Sequence, residues 1–302
     1  MSESTSTGAD AGRRHAVFSP ARVWAIAANT FTQLVRMKVF YFMLIFTGLI
    51  IAVNFFFLGW TLEQELKSMK DAAFGAMRIF SAVFAIVGTA LLIPKDVEDR
   101  TLYTILTKPV PRIEYLLGKL FGILILLAVS LAMMAALFFA VLYLRQHQIL
   151  ANEMLLQPDA DPAALREAIF AQGVQPSLLL AVFALFLQAA VAAGVALLVS
   201  TFASSTLFTI IVSLMVFLIG HAQSLARDVW FPEGVVHSAA ARALAGLVAV
   251  VFPDFNLFNI FDGIAIGQEV PDGLMMRLTV MTGFYLTIYS IVSWFVFAKK
   301  EL

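Results

Sequence analysis

The sequence contains no cysteine among its 302 residues. This absence excludes disulfides, thiolate metal sites and a cysteine nucleophile. The four histidines are scattered through the chain, and no Ser-His-Asp or paired-carboxylate arrangement can be identified. We therefore expect no catalytic residues, no bound metal and no bound cofactor, and we expect that the chain is not an enzyme by itself.

Charged residues are also scarce, at 13%, whereas 61% of the residues are hydrophobic and the mean hydropathy is +0.90. A soluble domain has roughly 25% charged residues and about 45–50% apolar ones. So large an apolar excess requires lipid as solvent, which predicts an integral membrane protein of the all-α class. The formal net charge of zero gives no indication of a nucleic-acid partner.

The first nineteen residues lack the apolar core of a signal peptide and are rich in Ser and Thr. We expect residues 1–19 to form a disordered cytoplasmic tail; a cloning remnant or a wrong start site is the alternative. Residues 20–302 are expected to form a single transmembrane domain.

Six apolar runs are long enough to cross a bilayer core of about 30 Å as helices. They are residues 39–59, 74–93, 120–143, 178–199, 206–225 and 278–298, the second being closed by Pro94. An amphipathic helix over residues 20–38 precedes them, begun by Ser19-Pro20 and carrying Trp24, Ala27, Phe31, Leu34 and Val35 at helical spacing. Trp and Arg together favour an interfacial position for this helix over a cytoplasmic extension of the first span.

Lys and Arg predict the orientation. With the N-terminus inside, twelve of the twenty basic residues but only seven of the twenty acidic ones lie on the inner side, a net +5 against −5 outside. Both termini are therefore expected in the cytoplasm.

Two long segments, 144–177 and 226–277, are then outside. The first contains a short helix begun by Asp161-Pro162, and the second a run at 243–252 that is too short to span and suits a re-entrant segment. Phe252, Phe255, Phe258 and Phe261 recur every three residues, which indicates a short amphipathic helix at the outer interface with lipid-facing or packed aromatics.

Polar residues inside spans are energetically costly and mark function or helix contacts. Asn54 and Gln188 could each line a pathway or bond a neighbouring helix. Arg78 is expected to extend to the outer interface, and His221 to cap a helix end.

The inner segment between the second and third spans reads PKDVEDRTLYTILTKPVPRIEYLLGK. Its acidic residues, among them Glu98 and Asp99, suit the start of a short helix, Leu102, Ile105 and Leu106 give that helix an apolar stripe, and Pro109 and Pro111 end it. Such a stripe is either a docking surface or packs against the protein's own helices. Gly118 and Gly122 have the small-xxx-small spacing that permits close helix packing.

This segment resembles the signature of ABC-2 type transporter permeases. The matching positions are Glu98, Arg100, Thr101, Leu102, Leu106, Pro109, Val110, Arg112, Gly118 and Lys119. The N-terminal helix, the six spans and the re-entrant segment before the last span also agree with that family, so the resemblance covers nearly the whole chain. Thr101 stands where many members carry Gly-Thr.

The resemblance implies a permease subunit of the bacterial inner membrane, working as a homo- or heterodimer. A separate ATP-binding subunit, which carries the ATP and Mg, would dock on a coupling helix that includes Glu98, Asp99, Arg100, Thr101, Leu102, Ile105, Leu106, Lys108, Pro109, Val110 and Arg112. Consistent with a separate ATPase, the chain has no G-x-x-x-x-G-K-[ST] loop.

Two other functions stay open. A non-transporting membrane subunit could use the same ATPase-coupled architecture to anchor or actuate an envelope machine. An integral membrane enzyme is disfavoured because the sequence shows no polar cluster within the spans.

Overall fold

The computed structural model describes residues 18–53, 62–98, 110–158, 161–203, 205–230, 252–265 and 268–299. These residues form nine α-helices and one 3-10 helix, and none of them lies in a β-strand. The helices are α1 Pro20–Val35, α2 Lys38–Val53, α3 Leu62–Glu98, α4 Arg112–Leu156, α5 Pro162–Gln172, α6 Ser177–Phe202, α7 Thr206–Trp230, α8 Phe261–Ala265 and α9 Leu274–Lys299, with the 3-10 helix at Phe255–Phe258.

Five described segments are long and apolar enough to cross a membrane: Glu65–Pro94, Arg112–Leu156, Pro162–Phe202, Thr206–Gln223 and Leu274–Ala298. By length and composition, these helices agree with the prediction of a multi-pass α-helical membrane protein. Of the first predicted span, α2 covers the part up to Val53, and residues 54–61 lie outside the described residues, Asn54 among them. The count of six spans and the re-entrant segment at 243–252, also outside those residues, stay predictions.

The core of the bundle surrounds α6, which packs against α3, α4, α7 and α9. A run of small residues, Ala189 to Gly194 apart from Val191, lies at the centre of α6 and is buried. Small side chains allow close helix approach where apolar burial gives no driving force between helices. At Gly194 an added Cβ would lie 2.8 Å from Leu286 Cδ2 of α9.

Two helices are much longer than the apolar runs that identified them. The helix that contains the second span does not end at Pro94, because α3 continues to Glu98 with Pro94 inside it. Proline removes one backbone hydrogen bond and bends a helix, but packed neighbours in a membrane bundle tolerate it. Glu98 therefore ends α3 and does not begin a separate helix. Similarly, α4 runs past residue 143 to Leu156, so the first part of the expected outer loop is helical.

Beyond α4, the predicted start of α5 is found, whereas the phenylalanine repeat forms a different helix from the one expected. Asp161 caps α5 by accepting a hydrogen bond from the Ala163 N–H at 3.0 Å. The phenylalanine repeat forms the 3-10 helix and the start of α8 instead of one amphipathic helix, and its spacing of three equals the 3-10 period. Phe255, Phe258 and Phe261 are buried, so these aromatics are packed and do not face lipid.

The two longest helices, α3 and α4, define the two ends of the bundle. Helices α3 and α4 are 37 and 45 residues long, which corresponds to about 56 and 68 Å. An ion pair between Glu65 and Arg145 joins the start of α3 to the later part of α4, so the two helices are antiparallel. We call the end that holds Pro20, Glu98 and Arg112 the tail end, and the end that holds Glu65 and Arg145 the cavity end.

Candidate functional site

The predicted coupling helix falls mostly outside the described residues. Residues 99–109, which include Asp99, Arg100, Thr101, Leu102, Ile105, Leu106, Lys108 and Pro109, are among those not described. The structure does describe both ends of this segment, namely the backbone of Glu98 at the end of α3 and Val110 to Arg112 at the start of α4. What the segment can transmit is set by how those ends are held.

Arg112 holds the C-terminus of the last helix. Its Nη1 donates to the carbonyl oxygens of Phe297 and Ala298 at 2.7 and 2.6 Å. The last carbonyls of a helix have no intrahelical partner and carry partial negative charge, so a guanidinium there satisfies both needs. The Arg112 guanidinium also lies 5.8 Å from the centre of the Phe297 ring. The residue that the resemblance placed in the docking loop therefore binds α9.

Glu114, two residues farther along α4, binds the start of α1. Its fully buried carboxylate accepts from Arg22 Nε at 2.6 Å and Nη2 at 2.8 Å, and from the Ser19 N–H at 2.8 Å. A bidentate guanidinium–carboxylate pair fixes orientation as well as distance. The hydrogen bond from Arg22 to Glu114 raises the pKa of the Arg22 guanidinium. Ser19 contributes its backbone, and its side chain makes no cap.

Gly118 and Gly122 face α1 at close range. A Cβ added to Gly118 would lie 2.6 Å from Ile26 Cβ, and one added to Gly122 would lie 2.5 Å from Thr30 Cβ. Any side chain at either position would push α1 away. On α1, the buried residues are Val23, Ala27, Thr30 and Leu34.

Trp24, in contrast, is 66% exposed and so does not join the packed face of α1. The helix is separated from α2 by a break at Arg36 and Met37. It is therefore not a continuation of the first span, and its interfacial position stays a prediction.

Lys119 completes the tail end. It is 2% exposed, and its Nζ lies 3.5 Å from Gln33 Oε1 and 5.6 Å from the centre of the Tyr115 ring. Tyr115 in turn stacks on Phe297. We call Ser19, Arg22, Arg112, Glu114, Gly118, Gly122 and their contacts the tail-end frame. It joins α1, α4 and α9 directly beside the segment 99–109.

A second polar site, which the sequence did not reveal, lies toward the cavity end. Arg78 of α3 and Gln188 of α6 both approach His221 of α7. The Arg78 Nη2 lies 3.1 Å and the Gln188 Nε2 2.9 Å from His221 Nε2. Arg78 therefore contacts another helix instead of extending to the interface, and Gln188 bonds a neighbouring helix. His221 does not cap α7, which continues to Trp230.

The hydrogen bonds fix the tautomer of His221. The arginine can only donate, so Nε2 accepts and carries no proton. Nδ1 lies 2.9 Å from the Phe217 carbonyl oxygen, which can only accept, so Nδ1 carries the proton. The ring is neutral and presents its lone pair to Arg78. Asn256 donates to the His221 carbonyl at 2.6 Å, which ties the 3-10 helix to the same residue.

Arg78 also lines a cavity of about 450 Å³ between α3, α6 and the start of α8. Lys67, Asp71 and Gly75 of α3 continue its wall, and Asn259 and Asp262 face them. Near the cavity, the Arg145–Glu65 ion pair joins α4 to α3. A hydrogen bond from Lys70 Nζ to the Gln172 carbonyl at 3.1 Å joins α3 to α5.

Among the described residues, no group of three or more His, Cys, Asp or Glu side chains could hold a metal ion. No protein-family model matches the sequence, and a comparison with curated proteins finds no match.

Proposed function

We propose that this chain is the membrane subunit of an ABC-2 type ATP-driven transporter. Two such subunits would form the pathway, and a separate ATP-binding subunit would dock on residues 98–112 at the tail end. With the N-terminus inside, the tail end faces the cytoplasm, where ATP is available. We propose the bacterial inner membrane as the location and export as the direction.

The tail-end frame is the observation that carries the proposal. A docked ATPase can drive transport only if the docking segment is mechanically joined to the spans. One end of the segment continues directly into α3, and the other is held by Arg112 on α9 and by Glu114 on α1. A displacement of residues 99–109 would therefore move three spans together with the N-terminal helix, and this supports a coupling role for the segment.

The proposal can be tested by purifying the tagged chain in mild detergent from its native host. A stoichiometric partner with a phosphate-binding loop and measurable ATP hydrolysis is expected. Charge reversal at Glu98 or Arg100, or Leu102→Asp, should abolish that association while the chain still inserts. Glu167→Lys is the matched control, because Glu167 is exposed on α5 at the other end of the bundle.

Retained association in all three variants would refute docking at this segment. If the partner binds normally but no candidate substrate stimulates its ATPase, the non-transporting anchor becomes the better description.

A further inference from the structure

The cavity at Arg78 is lined by a single stripe of α3. Lys67, Asp71, Gly75 and Arg78 are spaced by four, four and three residues, which places them on one face of the helix. The wall opposite Arg78 contains Asp262 of α8 and, beside it, Asn259, whose Nδ2 donates to Asp262 Oδ2 at 2.5 Å. Four charged groups of both signs therefore surround one space.

Arg78 is oriented for anion recognition. His221 Nε2 takes a hydrogen bond from Nη2, and a guanidinium has five N–H donors in a fixed fork that matches phosphate and carboxylate oxygens. Asp262 acts on Arg78 through charge, but no carboxylate of a described residue lies within 4 Å of the guanidinium. The remaining donors can therefore serve a ligand.

The charges around the cavity predict a ligand with no net charge. Among the described residues that line the cavity, Lys67 and Arg78 are balanced by Asp71 and Asp262, so an anion or a cation alone would meet two groups of its own sign. A zwitterion can place its anionic group on Arg78 and its ammonium group against a carboxylate. The volume of about 450 Å³ is within the usual range for small-molecule sites.

The depth of the cavity suits a lipid headgroup. Lys67 and Asp71 precede the apolar run that begins at residue 74, and Arg78 is about one turn inside it. The cavity thus extends from headgroup depth to the edge of the hydrocarbon layer. Free solute reaches such a site from water, and a lipid reaches it from the bilayer.

We propose that this cavity binds the phosphoethanolamine group, with its phosphate on Arg78 and its ammonium on Asp71 or Asp262. The group is a phosphodiester with no net charge both as the headgroup of phosphatidylethanolamine and in the free molecule glycerophosphoethanolamine. The site does not depend on the ATPase-coupled function proposed above, because binding is measured on this chain alone.

The decisive variant is Gly75→Leu. Gly75 lines the cavity and a Cβ added there meets no atom of the described residues within 4 Å, so leucine adds bulk to the cavity wall without changing a charge. Gly283→Leu is the matched control, because Gly283 on α9 is equally unobstructed and does not line the cavity. Arg78→Gln removes the anion donor, and loss of one charged hydrogen-bonding group costs about tenfold or more in affinity.

The purified full chain in phospholipid-free detergent would be titrated calorimetrically with glycerophosphoethanolamine, with inorganic phosphate and with ethanolamine. We expect glycerophosphoethanolamine to bind at least about tenfold more tightly than either fragment, Gly75→Leu and Arg78→Gln to lose that binding, and Gly283→Leu to keep it. A second arm places the chain in nanodiscs of phosphatidylethanolamine and phosphatidylglycerol and counts retained lipids by native mass spectrometry.

Each outcome decides the proposal. Gly75-dependent binding of free glycerophosphoethanolamine supports a soluble ligand, and Gly75-dependent retention of phosphatidylethanolamine over phosphatidylglycerol supports a lipid. The proposal is overturned if neither probe binds, if phosphate or ethanolamine alone binds equally well, or if Gly75→Leu binds like the control.

Discussion

Gly122→Ala is expected to separate α1 from α4. The new Cβ would lie 2.5 Å from Thr30 Cβ, 2.8 Å from Thr30 Cγ2 and 2.8 Å from the Ala27 carbonyl oxygen. Unbonded carbon atoms prefer about 3.5–4.0 Å, so α1 must move by about 1 Å. The obstructing atoms include backbone and a β-branched side chain, neither of which can rotate aside. Overpacking of this kind costs about 1–3 kcal/mol.

The direction of the change in thermal stability distinguishes steric crowding at this contact from the effect of helix propensity. Alanine is better than glycine in a helix interior by about 0.5–1 kcal/mol, so an unobstructed Gly→Ala change should be neutral or stabilising. Gly283→Ala is that control, because nothing lies within 4 Å of its added Cβ. The two substitutions are chemically identical and should shift the thermal midpoint in opposite directions.

Two measurements check the prediction. The thermal midpoint in detergent should fall for Gly122→Ala and hold or rise for Gly283→Ala, and amide exchange in residues 20–35 should accelerate only in the first variant. Unchanged protection of α1 with an unchanged midpoint would show that the close approach of α1 to α4 does not stabilise the protein. Gly118→Ala meets Ile26 at 2.6 Å on the same surface of α1, so its effect should be less than additive with that of Gly122→Ala.

Three further predictions concern α3 and its partners. Glu65→Gln or Arg145→Gln should each destabilise by about 1–3 kcal/mol because a charge largely shielded from water loses its ionic partner, whereas the double change to Leu should recover most of the loss; equal midpoints for single and double variants would contradict this. His221→Phe should cost about 1.5–3 kcal/mol, since Arg78 loses its acceptor, and an unaltered unfolding midpoint would exclude that role. Pro94→Ala should slow amide exchange around residues 91–98 and stabilise α3 by up to about 3 kcal/mol, and unchanged exchange there would show that Pro94 does not weaken the helix.

Hydropathy predicted where the chain is apolar but underestimated how far its helices extend. It placed the second and third spans within α3 and α4, yet both helices continue well beyond the apolar runs. Their polar ends are stabilised by contacts between distant residues, such as Glu65 with Arg145 and Lys70 with the Gln172 carbonyl. A window that averages apolarity detects the stretch that suits lipid and is insensitive to such pairs.

Short-range signals were informative wherever the partner is nearby in sequence. Asp161 and Pro162 predicted the start of α5, and the capping bond joins residues two apart. The spacing of Gly118 and Gly122 indicates a surface open to close packing, but nothing in that spacing names α1 as the helix that packs there. The period of three in the phenylalanine repeat is the 3-10 period, and of the two surroundings expected for the rings, lipid or protein, the structure shows packing against protein for Phe255, Phe258 and Phe261.

The polar cluster shows why the cavity site could not be predicted. Arg78 and Gln188 lie 143 and 33 residues from His221, so no local pattern connects them. Considered singly, Arg78 was assigned to an interface and His221 to a helix end, whereas Gln188 was left open between a pathway and a neighbouring helix. Lipid offers no hydrogen bonds, so a polar group in a span must find its partner on another helix or at a water-filled space. A polar residue in an apolar run therefore predicts that a partner exists, and several such runs predict partners for one another. On that argument the sparse polar residues of the spans should be considered as a set, and His221, whose ring nitrogen is approached by side chains of two helices and whose carbonyl accepts from a third element, is the residue on which the set converges.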